Sequence, residues 1–131
     1  MNLTLSNIPT VAKKIATNIQ GGEIFALVGP LGSGKTTFVK ALGKELKVRS
    51  RITSPTFTLL NSYRTTIKKH PQPLTLLHLD LYRTNSFAEV EQLGITEIWG
   101  KKQFVTCIEW ADLIQKHLPK KTTTIYFTHE T

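Results

Sequence analysis

The amino-acid sequence predicts an α/β fold with a mostly parallel central sheet flanked by helices. Apolar runs of strand length alternate along the chain with segments whose apolar residues recur at helical spacing. Two of the runs, EIFALV and FVTCIEW, are almost continuously apolar, as expected for strands that are buried on both faces of a parallel sheet. The chain of 131 residues suits one hydrophobic core, so we expect residues 1–131 to form a single domain.

The first third of the chain predicts two strands and two helices. NLTLSNI alternates weakly and predicts a short edge strand. Residues 10–19 carry apolar side chains at helical spacing after a Pro-Thr start, and the pair Gly21-Gly22 ends this helix. Residues 23–28 form the first buried strand, and residues 36–46 predict an amphipathic helix with an apolar stripe opposite lysines.

In the rest of the chain we predict four strands, three of them before residue 110 and the fourth near the end of the sequence. Residues 57–63 are β-prone, KKHPQP at 68–73 predicts a turn, and the stretch 63–74 is compatible with an antiparallel hairpin. LTLLHLDLY predicts an apolar strand that ends at Asp80. The remaining predicted elements are short helices at 87–93 and 95–99, a strand ending at Glu109, a short helix at 111–117 and a final strand in TTTIYFTH.

The stretch GPLGSGKTTFVK fits the phosphate-loop pattern G-x-x-x-x-G-K-[ST] and stands between a predicted strand and a predicted helix, the context that this motif requires. Glycines let the backbone curl closely around an anion, and the helix that follows directs free amides and its positive dipole end at phosphates. Lys35 is predicted to reach the β- and γ-phosphates, Thr36 to ligate Mg²⁺ and Thr37 to face the α-phosphate. The predicted nucleotide-binding residues are Gly29, Gly32, Ser33, Gly34, Lys35, Thr36 and Thr37.

Two carboxylates are candidates to complete the shell of a magnesium ion. Asp80 and Glu109 each end a predicted buried strand, and parallel strands would end on the side of the sheet where the phosphate loop lies. Mg²⁺ prefers hard oxygen ligands and takes one or two carboxylates beside waters and phosphates. We predict Lys35, Asp80 and Glu109 as catalytic residues and Thr36, Glu109 and Asp80 as metal ligands. The spacing leaves open which carboxylate touches the metal and which orients the attacking water.

The segment ITSPTFTL contains hydroxyl residues around a proline. It is compatible with a plain turn or with a switch-like segment whose hydroxyls, at Ser54 and Thr56, sense the γ-phosphate. No Asn-Lys-x-Asp sequence that would read guanine is present in the chain. ATP is therefore the nucleotide that we predict.

The net charge of +8 is unevenly distributed. Residues 24–79 hold nine lysines or arginines and one acid, whereas residues 80–131 hold seven acids and six basic residues. A basic half indicates a polyanionic partner, such as nucleic acid or an acidic protein surface. No secretory leader and no membrane-spanning run is present, and the single cysteine, Cys107, lies in an apolar strand, so we predict a cytoplasmic protein with a buried thiol and no membrane contact.

Four ordered blocks, GPLGSGKTTFVKAL, ITSPTFTLLNSY, HLDLYR and IEWAD, resemble the TsaE (YjeE) family of small bacterial ATPases, which serve the synthesis of threonylcarbamoyladenosine in tRNA. The resemblance covers residues 8–112. It implies a P-loop NTPase-like fold, ATP and Mg²⁺ as cofactors, slow hydrolysis, and assembly with the partner proteins TsaD and TsaB. Members of the family commonly continue into a tail with a Gly-Arg pair, which is not found in this sequence, so the resemblance does not extend to contacts made by such a tail. The family's role in tRNA modification makes contact between tRNA and the basic half possible.

The resemblance also implies roles for individual residues. Residues 32–37 would bind phosphates, and Glu109 would be the second metal ligand or act on the attacking water. Asp80 would lie near the γ-phosphate, and residues 5–10 would border the adenine. Trp110 matches the tryptophan that follows the glutamate, and His78 matches the H-x-D block without an assigned catalytic role.

Three functions remain open at this point. The first is an Mg²⁺-dependent ATPase that binds and resets the threonylcarbamoyl-transferase complex. The second is a small P-loop kinase, for which SYRTTIKKH would have to supply a lid. The third is a non-hydrolysing module in which ATP gates the binding of a partner.

Overall fold

The computed structural model describes residues 1–53, 59–67, 73–82 and 86–130, which contain one six-stranded sheet with helices on both faces. The strand order is β1-β6-β2-β5-β4-β3; β3 is antiparallel to β4, and every other neighbouring pair is parallel. The predicted α/β class with a mostly parallel sheet is therefore confirmed. The strands are β1 (Asn2–Leu3), β2 (Ile24–Val28), β3 (Leu60–Arg64), β4 (Thr75–Asp80), β5 (Phe104–Glu109) and β6 (Thr123–Phe127).

Four α-helices and one 3-10 helical segment accompany the sheet in the described ranges. They are α1 (Ile8–Asn18), α2 (Lys35–Glu45), α3 (Phe87–Gln92), α4 (Ile95–Ile98) and the 3-10 segment Ala111–His117. Helix α1 begins two residues earlier than predicted, because proline is accepted in the first turn of a helix, where its missing N–H is not needed. The short helix predicted at 111–117 is present over those residues as a 3-10 segment, with a non-helical backbone at Ile114.

Each face of the sheet packs against its own set of helices. Side chains alternate along β2, so that Phe25 and Leu27 join the core beneath α1 and α2, whereas Ile24 and Ala26 join the core beneath α3, α4 and the 3-10 segment. Four of the five residues of β2 are buried, as its continuous apolar sequence predicts for a central parallel strand.

Three aromatic rings fix the first half of α2 on the sheet. The Phe38 ring stands edge-on to Phe25 of β2, with 6.4 Å between ring centroids, and to Phe127 of β6, with 5.9 Å. Edge-to-face pairs of this kind add about 0.5–1.5 kcal/mol each to the burial of the rings. The first half of α2 is thereby held against β2 and β6.

Several local predictions can be compared with the structure. The antiparallel hairpin is confirmed, with Tyr63 of β3 opposite Leu76 of β4. The N-terminal edge strand is present but is limited to β1. Residues 54–58 and 68–72, which include most of the predicted KKHPQP turn, lie outside the described residues. In the part of the chain that the structure describes, no helix is both long and apolar enough to cross a bilayer.

Candidate functional site

The predicted site residues converge at the carboxyl edge of the sheet. Strands β4, β5 and β2 are parallel neighbours that end together: Asp80 and Glu109, the last residues of β4 and β5, pair with each other, and Glu109 also pairs with Leu27, the last residue but one of β2. The loop of residues 29–34 leaves β2 at this edge and runs directly into α2. The loop, the start of α2 and both carboxylates therefore share one end of the sheet.

Glycine is required at three positions of the loop. A Cβ on Gly29 would stand 2.6 Å from the Phe127 carbonyl oxygen and 2.8 Å from Ser33 Oγ, both far inside contact distance. Gly32 and Gly34 have φ angles of 76° and 114°, in the left-handed region that side chains with a Cβ rarely adopt. The loop can therefore lie tightly against β6.

The serine of the loop has a structural role. Ser33 is buried, its hydroxyl donates to the Pro30 carbonyl at 2.6 Å, and its amide donates to the same oxygen at 3.2 Å. These bonds close the bend that precedes α2. The Ser33 hydroxyl, which we predicted among the nucleotide-binding groups, is therefore bonded to a backbone carbonyl of the loop itself.

Lys35, the first residue of α2, is buried against the loop, with 4% of its surface exposed. Its ammonium donates to the carbonyl oxygens of Gly29 and Pro30 and stands 3.5 Å from the centroid of the Trp110 ring. Burial lowers the pKa of this ammonium below its ordinary value, and the carboxylates of Glu109, Asp112 and Asp80 oppose that effect. The site thus confines a cation beside three carboxylates.

Glu109 links three elements of the site through one oxygen. Thr36 Oγ1, at the start of α2, donates to Glu109 Oε2 at 2.7 Å, and His78 Nε2 of β4 donates to the same oxygen at 2.5 Å. Glu109 is 3% exposed and His78 is fully buried. The bond from His78 therefore fixes the Glu109 carboxylate to β4, and the bond from Thr36 connects the same carboxylate to the phosphate-loop motif.

Asp80 occupies the corresponding position on the neighbouring strand and is only partly buried. Its Oδ1 accepts a hydrogen bond of 3.0 Å from the Tyr82 amide, and its own amide donates to the Leu59 carbonyl at 2.9 Å. These bonds fix the turn after β4. The carboxylate is close enough to Lys35 to favour the charged ammonium, although less strongly than Glu109 and Asp112 do.

Three contributions to the site were missed in the sequence. His78 was given no role, yet it contacts Glu109; the two-residue spacing of H-x-D, which places both side chains on one face of a strand, was the available signal. Trp110 adopts a left-handed backbone with φ 58°, which turns its ring over Lys35 and onto Tyr82, 5.1 Å away between centroids. Asp112 follows two residues later and acts on Lys35 through its charge.

The remaining predicted positions are located as follows. Thr37 is exposed in the first turn of α2, where backbone N–H groups lack intrahelical acceptors. Leu5 and Ile8 lie over Gly34, since a Cβ on that glycine would stand 3.1 Å from Leu5 Cδ2 and 2.6 Å from Ile8 Cδ1. The N-terminal segment thus borders the loop, whereas Ser54 and Thr56 lie outside the described residues.

The buried thiol is separate from the chemistry of the site. Cys107 of β5 is fully buried, and desolvation, together with the nearby charge of Glu109, raises its pKa far above the ordinary value. A thiol of this kind is unreactive at neutral pH. The prediction of a structural cysteine is consistent with this environment.

Comparison with known proteins identifies the family of the chain. The sequence model described as "Threonylcarbamoyl adenosine biosynthesis protein TsaE" matches residues 4–131. The chain belongs to the TsaE family. A curated relative from Aquifex aeolicus, named tRNA threonylcarbamoyladenosine biosynthesis protein TsaE, is 42% identical over 104 residues, which is 78% of this chain and 68% of that protein.

Further relatives agree with this assignment. The relative of the same name from Bacillus subtilis is 37% identical over 111 residues, which is 85% of this chain and 65% of that protein. A crystal structure of YdiB from Bacillus subtilis superposes with a TM-score of 0.67 at 30% identity, covering 95% of this chain and 71% of that one. This TsaE-family chain therefore matches about two thirds of the length of its curated relatives.

Proposed function

We propose that this chain is an Mg²⁺-dependent ATPase that assists the synthesis of threonylcarbamoyladenosine in tRNA. The observation that carries the proposal is the 2.7 Å hydrogen bond from Thr36 to Glu109. It joins the hydroxyl that ends the phosphate-loop motif to a carboxylate at the end of a neighbouring strand, the pair of oxygen groups that phosphate-loop enzymes use around Mg²⁺. Membership of the TsaE family supports the role in tRNA modification.

The donor groups of the site suit a triphosphate and a hard cation. The amides of the glycine bend and of the first turn of α2 would bind phosphate oxygens, and Lys35 would exchange its carbonyl partners for the β- and γ-phosphates. Thr36, supported by Glu109, offers the hydroxyl oxygen that would hold Mg²⁺. When bound, Mg²⁺ supplies neutralisation of the charge that develops on the transferred phosphoryl group.

The two carboxylates divide the remaining work in this proposal. Glu109 is engaged by Thr36 and His78, so we assign it to the metal side of the site. Asp80 is more exposed and is joined to the adjacent backbone, so we assign it to orienting the attacking water. Trp110 stacks on the Lys35 ammonium and restrains its position, an interaction worth about 0.5–2 kcal/mol.

Hydrolysis would serve to change what the protein binds. The resemblance to TsaE proteins implies TsaD and TsaB as partners, and we propose that the ATP-bound form joins the threonylcarbamoyl-transferase complex and that hydrolysis resets it. ATP hydrolysis would then shift the equilibrium between the free chain and the chain bound to its partners. A nucleotide can shift this equilibrium only by as much as its affinity differs between the free and the partner-bound form.

Purified TsaD and TsaB from the same source test this proposal. We expect the chain to associate with them at least about tenfold more tightly in ATP–Mg²⁺ than in ADP–Mg²⁺, a difference near 1.4 kcal/mol. ADP and free phosphate should then appear in equal amounts and faster in the presence of both partners. Sedimentation and a phosphate-release assay measure these quantities.

Two outcomes would contradict the proposal. Equal affinity for the partners in both nucleotides would remove the resetting role. ADP without free phosphate would show transfer to another acceptor, as a small kinase performs.

A further inference from the structure

A cavity of about 510 Å³ lies at the opposite end of α2 from the phosphate loop. Helix α2 rises about 1.5 Å per residue, so its two lining residues, Lys40 and Lys44, stand about 7.5 and 13.5 Å along the helix axis from Lys35. The cavity is therefore a separate feature, and nothing in the proposed ATPase uses it. Its lining residues are Lys40, Lys44, Lys47, Val48, Arg49, Ser50, Arg51, Ile52 and Thr66.

The backbone that forms this cavity is held by specific bonds. Val48 donates to the Gly43 carbonyl at 2.9 Å, and the Lys47 carbonyl accepts from both the amide of Thr66, at 3.2 Å, and its hydroxyl, at 2.6 Å. Ile52 is buried against Gly43, where a Cβ would collide with its side chain. The segment after α2 is thereby fixed to the helix on one side and, on the other, to Thr66, two residues beyond the end of β3.

The charge of the lining has a single sign. Five of the nine lining residues are lysine or arginine, none is acidic, and no ion pair engages any of the five within the described ranges. Lys40 and Lys44 are one turn apart on α2, a like-charge arrangement that costs a helix a few tenths of a kcal/mol. A polyanionic ligand would remove this repulsion.

The chemistry of the lining favours nucleic acid over protein as the ligand. Protein interfaces are depleted in lysine at their centres and enriched in aromatic residues, and this cavity has three lysines and no aromatic residue. Lysine, arginine and serine are residues that bond phosphate oxygens of nucleic acids without reading bases. The process for which the family is named modifies tRNA, which makes an RNA strand the relevant polyanion.

We propose that this cavity, which we call the basic cavity, binds the phosphate backbone of RNA. It would hold the strand by charge and without base readout, since its lining offers no ring for stacking. The site acts independently of ATP hydrolysis, so loss of one function leaves the other measurable.

The test is RNA binding by two triple variants with the same change in charge. The first is Lys40→Gln, Lys44→Gln and Arg49→Gln, which alters the basic cavity; the matched control is Lys13→Gln, Lys120→Gln and Lys121→Gln, at exposed positions elsewhere. Fluorescence anisotropy with a labelled tRNA transcript is recorded over a range of salt concentrations. A polyglutamate peptide serves as the acidic-protein probe, and ATP hydrolysis and melting temperature report on the fold.

We expect the cavity variant to bind the transcript at least about tenfold more weakly than the control variant, and its plot of log K against log salt to be shallower by about 2 to 3. Hydrolysis and melting should match the wild type in both variants. Equal RNA affinity and salt slope in the two variants, or no RNA binding by the wild type, would overturn the proposal. Polyglutamate bound as tightly as RNA, and lost in the same variant, would overturn it in favour of an acidic protein.

Discussion

Replacing Lys35 by alanine is expected to lower ATP affinity or turnover by at least about 100-fold. The ammonium is the cation that the loop encloses, and in the proposed complex it neutralises phosphate charge within a buried setting where such interactions are strong. Equilibrium binding of a fluorescent ATP analogue and a phosphate-release assay measure the two effects separately.

The Lys35→Ala protein should also remain folded, because the substitution removes an ammonium group whose burial is unfavourable. That cost is seen in the lowered pKa of Lys35, which desolvation causes. Lys44→Ala, on an exposed position near the other end of α2, is the matched control and should keep both ATP affinity and turnover. An intact rate of hydrolysis in Lys35→Ala would contradict the proposed site.

Replacing Glu109 by glutamine is expected to lower turnover by about 100-fold or more and to raise the Mg²⁺ concentration that hydrolysis requires. Glutamine keeps an oxygen that can accept the hydrogen bond from Thr36, so the substitution removes the negative charge of residue 109 and preserves the shape of its side chain. Turnover measured against Mg²⁺ concentration separates the two effects.

Asp80→Asn provides the comparison for this experiment. If Asp80 orients water, its variant should lose turnover while its Mg²⁺ requirement stays at the wild-type value. Glu91→Gln, at an exposed position of α3, should behave as the wild type. Wild-type turnover with an unchanged Mg²⁺ requirement in Glu109→Gln would remove Glu109 from the proposed metal side.

The elements that define the sheet could be predicted because their signals are local. The continuous apolar runs at β2 and β5 and the amphipathic pattern of α2 each follow from a few adjacent residues, and the prediction of α2 at 36–46 differs from the structure by one residue. The 3-10 geometry after Trp110 was not predictable in this way. The 3-10 segment follows a left-handed backbone at Trp110, a conformation that no residue propensity predicts for tryptophan. The ring of this tryptophan packs over Lys35, a contact between residues far apart in the sequence.

For the candidate site, too, local patterns could be predicted from the sequence and long-range contacts could not. The phosphate-loop motif and the two strand-end carboxylates were readable, because both depend on short patterns and on the parallel direction of the strands. The contact between His78 and Glu109 joins residues 31 positions apart. It depends on the order of β4 and β5 in the sheet, which the spacing of motifs does not specify.

The central claim is that residues 29–37 bind a triphosphate whose metal lies at Thr36, supported by Glu109. The most direct measurement is a crystal structure with a non-hydrolysable ATP analogue and Mg²⁺. We predict that Lys35 Nζ will have left the carbonyls of Gly29 and Pro30 for the β- and γ-phosphates, with Thr36 on the metal. A triphosphate bound elsewhere, or side chains of Asp80 and Glu109 that both point away from it, would contradict the account.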